Sequence, residues 1–178
     1  MYQPLSKHKG NGFTILEILA ATLIIVILLL LFFPNLRNFI YRSGEAACMA
    51  NMRSINVGLH GYLQDHQNVW PQGPSPIETQ PWETFWLGAL EKYGITPKTW
   101  QCPTCVSQMA AQGVPKDERP RVHYIPTMFS AEPGIANRWA TQPWLIEKVS
   151  VHPNGPHICF PDGSIKSFNK VLAEQGVR

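Results

Sequence analysis

The residues best suited to chemistry are thiols and imidazoles. Cys102-Pro103-Thr104-Cys105 is the chain's one CxxC, and Cys48 and Cys159 complete its four cysteines. Three kinds of chemistry are open to that set. The first is a structural disulfide, local to the CxxC or made with Cys48 or Cys159. Four cysteines allow three complete connectivities, and an oxidising exterior permits them. The second is a zinc site, in which Cys102 and Cys105 need two further ligands from His123, His152, His157 and Cys159. The third is thiol–disulfide exchange, which asks for a CxxC at a helix start inside a βαβ unit. A helix can follow Cys102, but no βαβ pattern surrounds it. Calcium wants about six to eight oxygens, and the C-terminal region offers only Glu147 and Asp162. No Ser/His/Asp arrangement, Gly-rich phosphate loop or carboxylate pair stands out, so the expectation is a protein that is not an enzyme. His60 and His66 are expected in solvent, and Asp162 is expected to bond the backbone amides of its own turn.

Composition limits what can hold these residues in place. The 178 residues carry 15 Lys+Arg against 12 Asp+Glu, a formal charge of +3, and only 15% of them are charged. That excludes a disordered polyelectrolyte. Without a clustered basic footprint, no nucleic-acid partner is expected. Four cysteines are too few for a disulfide scaffold. Of 16 prolines, 14 lie between Pro71 and Pro161, which keeps long helices and central strands out of that region.

The N-terminal part is different. Ile18 to Phe33 contains no charge, and 13 of its 16 residues are Ile, Leu, Val or Phe. Counted from Phe13, the stretch makes a helix of about 31 Å at ~1.5 Å per residue, matching a hydrocarbon core of roughly 30 Å. Each central apolar residue favours insertion by roughly 0.3–0.6 kcal/mol. A carboxylate at the edge, Glu17, costs less than the ~2.5–3.5 kcal/mol of a central charge. A buried core helix fits poorly, since nothing else in the chain can cover so apolar a cylinder on all sides. A cleaved secretory signal would end at small residues, whereas this run ends in Phe32-Phe33-Pro34-Asn35. A permanent membrane anchor is the reading that remains. Lys7 and Lys9 before it and Arg37 and Arg42 after it give no orientation by charge.

The junction Lys9-Gly10-Asn11-Gly12-Phe13-Thr14-Ile15-Leu16-Glu17 resembles the type IV prepilin signature: a short basic leader, Gly, then Phe-Thr-x-x-Glu opening a long apolar helix. Pro34 fits the same pattern. The resemblance implies that a prepilin peptidase cuts between Gly12 and Phe13 on the cytoplasmic face. It further implies that Phe13 is N-methylated, and that Glu17 meets the Phe13 amine of a neighbouring subunit during filament assembly. Alone, Glu17 would read as a carboxylate snorkelling to the interface.

Beyond the anchor, Leu36, Phe39, Ile40, Ala47, Met52, Ile55, Leu59, Tyr62 and Leu63 continue at mostly helical spacing to about His66. Gly44 and Gly58 weaken that helix by up to ~1 kcal/mol each. The stretch Asn51 to Pro71 is similar to the end of the long helix in major pseudopilins of type II secretion.

In the remainder, Pro81 opens a helix whose stripe is Trp82, Phe85, Trp86, Leu87, Leu90 and Tyr93, capped by Gly94. Pro103 to Gln112 is a second short helix. His123–Ile125 and Leu145–Val149 are candidate strands. His157–Phe160 and Ser164–Phe168 form a hairpin around Pro161-Asp162-Gly163, and Asn169 to Glu174 make a closing helical turn. His152 followed nine residues later by Asp162-Gly163 resembles the H-x9-DG pattern that closes the head of planctomycete and verrucomicrobial pilin-like proteins. In that resemblance His152, Asp162 and Gly163 belong together as a structural turn. Ser164 stands where the commonest version has His.

The expected fold is therefore α+β and pilin-like: a long N-terminal helix and a small, loop-dominated head with a short antiparallel sheet. Residues 1–12 are the expected leader, 13–33 the transmembrane half of the helix, 34–70 its amphipathic half, and 71–178 the extracytoplasmic head. The expected function is a pseudopilin or pilin-like subunit of a type II secretion pseudopilus or type IV pilus-like filament. It would sit in a bacterial inner membrane with its head on the periplasmic side. Its partners would be prepilin peptidase, like subunits, the assembly platform and lipid. No cofactor is required, with zinc or calcium left open. The competing expectation is a membrane-anchored binding or zinc module that acts without assembly.

Overall fold

The computed structural model describes residues 13–74, 79–174 and 176, apart from the side chains of 33–41 and 79–80. The fold is α+β, and the chain divides into two compact units, Met1–Ile40 and Tyr41–Arg178.

In the first unit, helix α1 begins at Ile15; the helix as a whole runs Ile15–Asp65. Ile15–Phe32 is long and apolar enough to cross a membrane, and none of it is buried within the protein.

In the second unit, α1 contributes one face to the core. Cys48, Met52, Ile55, Leu59 and Leu63 recur every three or four residues and are at most 1% exposed, while Val57 on the other side is 69% exposed. Burying each large member of that stripe contributes roughly 1.5–3 kcal/mol. The helix ends in a Schellman motif: the amide of Asn68 donates to the Leu63 carbonyl at 2.8 Å, with Gln67 at φ 55°. Gly58 and Gly44 are more than weak points in the helix. A Cβ at Gly58 would lie 2.6 Å from Ile95 Cγ1, and one at Gly44 would lie 2.6 Å from Thr104 Oγ1. Their lack of a side chain lets the following elements approach α1.

Those elements are short, as the prolines require. Helix α2 spans Thr79–Ala89 and passes into a 3-10 turn, Glu91–Tyr93, closed by Gly94 at φ 80°. Its stripe buries Trp82, Trp86, Leu87 and Leu90. Helix α3, Pro103–Ala111, has Cys102 at its N-cap and Pro103 at its first position, where a missing N–H costs nothing. Trp70, Trp86, Trp100 and Trp144 are completely buried. Trp70 meets Trp144 at 5.1 Å and Phe129 at 4.9 Å, both edge-on, the arrangement that aromatic quadrupoles favour.

Four three-residue strands form an antiparallel meander in the order β1-β2-β3-β4. They are Tyr124–Pro126, Leu145–Glu147, His157–Cys159 and Ile165–Ser167, followed by helix α4, Phe168–Glu174. The β3–β4 hairpin turns at Pro161-Asp162-Gly163. The Phe160 amide donates to Ser164 at 3.0 Å, Gly163 takes φ 75°, and Asp162 Oδ1 accepts the Ser164 amide at 2.9 Å. This turn sits on α1: Asn56 Nδ2 donates to the Phe160 carbonyl at 3.0 Å, and His60 Nε2 to the Pro161 carbonyl at 2.8 Å. His60 is therefore a docking residue and not the solvated histidine expected; its ring also lies 4.6 Å from that of Trp144.

Candidate functional site

Two places gather the residues singled out above. The first is the start of α1. Thr14 is its N-cap and Glu17 the third helical residue, and they form a capping box. The Thr14 amide donates to Glu17 Oε2 at 2.9 Å, the Thr14 hydroxyl to the same oxygen at 3.0 Å, and the Glu17 amide to Thr14 Oγ1 at 3.3 Å. Glu17 thus has a local task that snorkelling alone leaves out. The Thr-x-x-Glu spacing before an apolar run is the signal for it. Phe13 is 82% exposed; Gly12 lies outside the described residues.

The second place is a buried cluster in the head. Cys48, on the core face of α1, is disulfide-bonded to Cys102 at the N-cap of α3, across 54 residues of sequence. Of the pairings left open, this one joins two helices; Cys105 and Cys159 are free and buried. Beside the disulfide stand Glu147, at the end of β2, and His152, in the β2–β3 connection. The ligand atoms of Cys48, Cys102, Glu147 and His152 all lie within 4.8 Å of one another. His152 Nε2 is 3.2 Å from Glu147 Oε1 and 3.6 Å from Cys102 Sγ.

Glu147 is buried because β2 alternates: Leu145 faces in, Ile146 out and Glu147 in. Its second oxygen, Oε2, takes the His157 amide at 3.1 Å and faces His157 Nδ1 at 3.0 Å. His157 Nε2 in turn lies 3.2 Å from Glu45 Oε1. With a carboxylate at each nitrogen, the His157 ring holds both protons and donates from both. Burial opposes the Glu147 charge, but the bonds from His152 and His157 hold its carboxyl far below the ordinary range, at about 2. Burial likewise opposes the His157 charge, yet the bonds to Glu147 and Glu45 raise its pKa.

The expected zinc set is only partly assembled. Cys102 and His152 belong to the cluster, but Cys48 takes the place of Cys105 as the second sulfur. Cys159 makes its contact elsewhere, to the Phe160 carbonyl. His123 is committed to structure: its Nδ1 accepts the Cys102 amide at 3.0 Å and its Nε2 faces the Pro120 carbonyl at 3.2 Å. Burial lowers its pKa, keeping it neutral. His157 stands behind Glu147. His152 is not in the Asp162-Gly163 turn, in contrast to the expected grouping. It opens a turn of its own, in which the Gly155 amide donates to the His152 carbonyl at 3.1 Å. Asp162 is in neither place and serves its hairpin.

No protein-family model, curated protein or solved structure matches this chain.

Proposed function

We propose that the chain is a pilin-like structural subunit, processed by a prepilin peptidase and assembled into a pseudopilus or related filament. The observation that carries this reading is the start of α1. An apolar helix without burial along Ile15–Phe32 opens with one carboxylate, Glu17, two residues into the helix. A membrane-spanning stem stores the subunit in lipid. Packed against like stems, the same surface is buried in protein, which offsets the loss of lipid contact. A carboxylate near the hydrocarbon is costly unless a cation meets it. The amine of a mature Phe13 on a neighbour would remove the desolvation penalty of both charges together. The head forms the surface of the filament. Its disulfide suits an oxidising, extracytoplasmic side.

Glu17→Gln separates the two tasks of this residue. Glutamine still accepts from Thr14, so the capping box persists, but the charge is gone. The variant is expected to insert and to be cleaved like the wild type, and to be missing from filaments sheared off cells. Wild-type incorporation of Glu17→Gln overturns the assembly role.

A further inference from the structure

The geometry points to a zinc site in the reduced head, formed by Cys48 Sγ, Cys102 Sγ, His152 Nε2 and Glu147 Oε1. The site stands independently of the filament reading. Zinc takes four ligands in a tetrahedron, at ~2.3 Å to sulfur and ~2.0–2.2 Å to nitrogen and oxygen. Such a tetrahedron has edges of about 3.4 Å between nitrogen and oxygen and about 3.6 Å between nitrogen and sulfur. The separations in the head are 3.2 Å for His152 Nε2 to Glu147 Oε1 and 3.6 Å for His152 Nε2 to Cys102 Sγ. The edge that differs most is Sγ–Sγ, a covalent bond in the oxidised chain that must open to about 3.8 Å. With Cα atoms 4.8 Å apart, side-chain rotation alone supplies that opening.

The surroundings suit a closed structural site. All four residues are buried, none more than 4% exposed. They come from α1, the N-cap of α3, β2 and the β2–β3 connection, so one ion ties together segments that are distant in sequence. Glu147 already has its second oxygen held by His157, which fixes the carboxylate and leaves Oε1 for the metal. Ligating carboxylates are commonly hydrogen-bonded by a neighbouring group in this way.

The steps conserve charge and electrons. In the reduced chain two thiols bind Zn2+ and release two protons to solvent. A disulfide-bearing oxidant then takes two electrons from the thiolates, and two protons from solvent make it a dithiol. The Cys48–Cys102 bond forms, and Zn2+ leaves. The head therefore has two alternative clasps at the same place: a metal before oxidation and a disulfide after it.

The test uses the full chain in detergent. One sample stays oxidised; another is reduced with a water-soluble phosphine and freed of it under anaerobic conditions. Each is equilibrated with Zn2+ or Co2+ and passed through a desalting column. The reduced chain is expected to retain one zinc per chain and the oxidised chain none. Cobalt is expected to give thiolate charge-transfer absorption and the visible bands of a tetrahedral site. X-ray absorption at the zinc edge should find two sulfurs and two lighter ligands. His152→Gln and Glu147→Gln should each weaken zinc binding at least about tenfold, whereas Cys105→Ser and Cys159→Ser should leave it unchanged. Folding of each variant is checked in its oxidised form, which needs no metal. No zinc on the reduced wild type, three or four sulfurs around it, or loss of binding in Cys105→Ser would each overturn the proposal. The sulfur count needs no variant at all.

Discussion

Nδ1 of His157 lies 3.0 Å from Oε2 of Glu147, and the two side chains are only 3% and 1% exposed. A charge so enclosed is tolerable because its partner is fixed by the sheet: His157 is the first residue of β3 and Glu147 the last of β2.

Breaking one side of a buried ion pair strands the other charge, at a cost of about 3–5 kcal/mol. Glu45 still faces the other nitrogen of His157, so Glu147→Gln in the oxidised chain is expected to lower the stability of the head by up to that amount. Urea unfolding in detergent, followed by tryptophan fluorescence, reads this directly, since all six tryptophans lie between Trp70 and Trp144. The exposed pair Lys92–Asp65, at 3.1 Å, is the contrast. Lys92→Ala should leave the unfolding midpoint where it was, because solvent screens that pair. Equal effects from the two substitutions would contradict the buried pair's role.

The Cys48–Cys102 bond closes a loop of 54 residues in sequence. Its effect on the unfolded chain's entropy is about 4 kcal/mol at most, with about 2–4 kcal/mol typical. Cys48→Ala combined with Cys102→Ala should destabilise the head by about 2–4 kcal/mol in the absence of added metal, while the trace at the tryptophan bands keeps its native form. Thiol titration of the denatured, unreduced wild type should find two thiols, those of Cys105 and Cys159.

Those two thiols are poor nucleophiles in the folded protein. Burial is the first cause at both: it raises the Cys105 pKa, with the Glu147 charge adding to it, and it pushes Cys159 up to about 12, with Asp162 adding to it. An ordinary thiol ionises near 8.5. Alkylation by iodoacetamide near that pH should therefore be slow in the native chain and rapid in urea. Fast native labelling of Cys105 would instead reveal a reactive thiol and revive exchange chemistry for the CxxC.

Much of the scaffold is legible in the sequence because it rests on local periodicity. The uninterrupted run to Phe33, the aromatic stripe from Trp82 and the Pro161-Asp162-Gly163 turn each appear within a window of a few residues. The head cluster is not local. Gly44 leaves room for Thr104 of α3 beside α1, where Cys48 meets Cys102, and no spacing rule carries that contact across 54 residues. Glu147 was visible only as an isolated carboxylate. Its alternation with Ile146 after Leu145 places it on the core face, and a buried acid there demands a partner. The position of His60 on the long helix predicts solvent exposure; the hairpin that covers it is about a hundred residues later. Local pattern cannot distinguish a face turned to water from one reserved for a distant turn.

The N-terminus and intact mass of the protein taken from native membranes test the filament reading. The mature chain is expected to start at N-methylated Phe13. A chain still beginning at Met1, in cells whose prepilin peptidase processes other substrates, would contradict it and leave a membrane-anchored head that works without assembly.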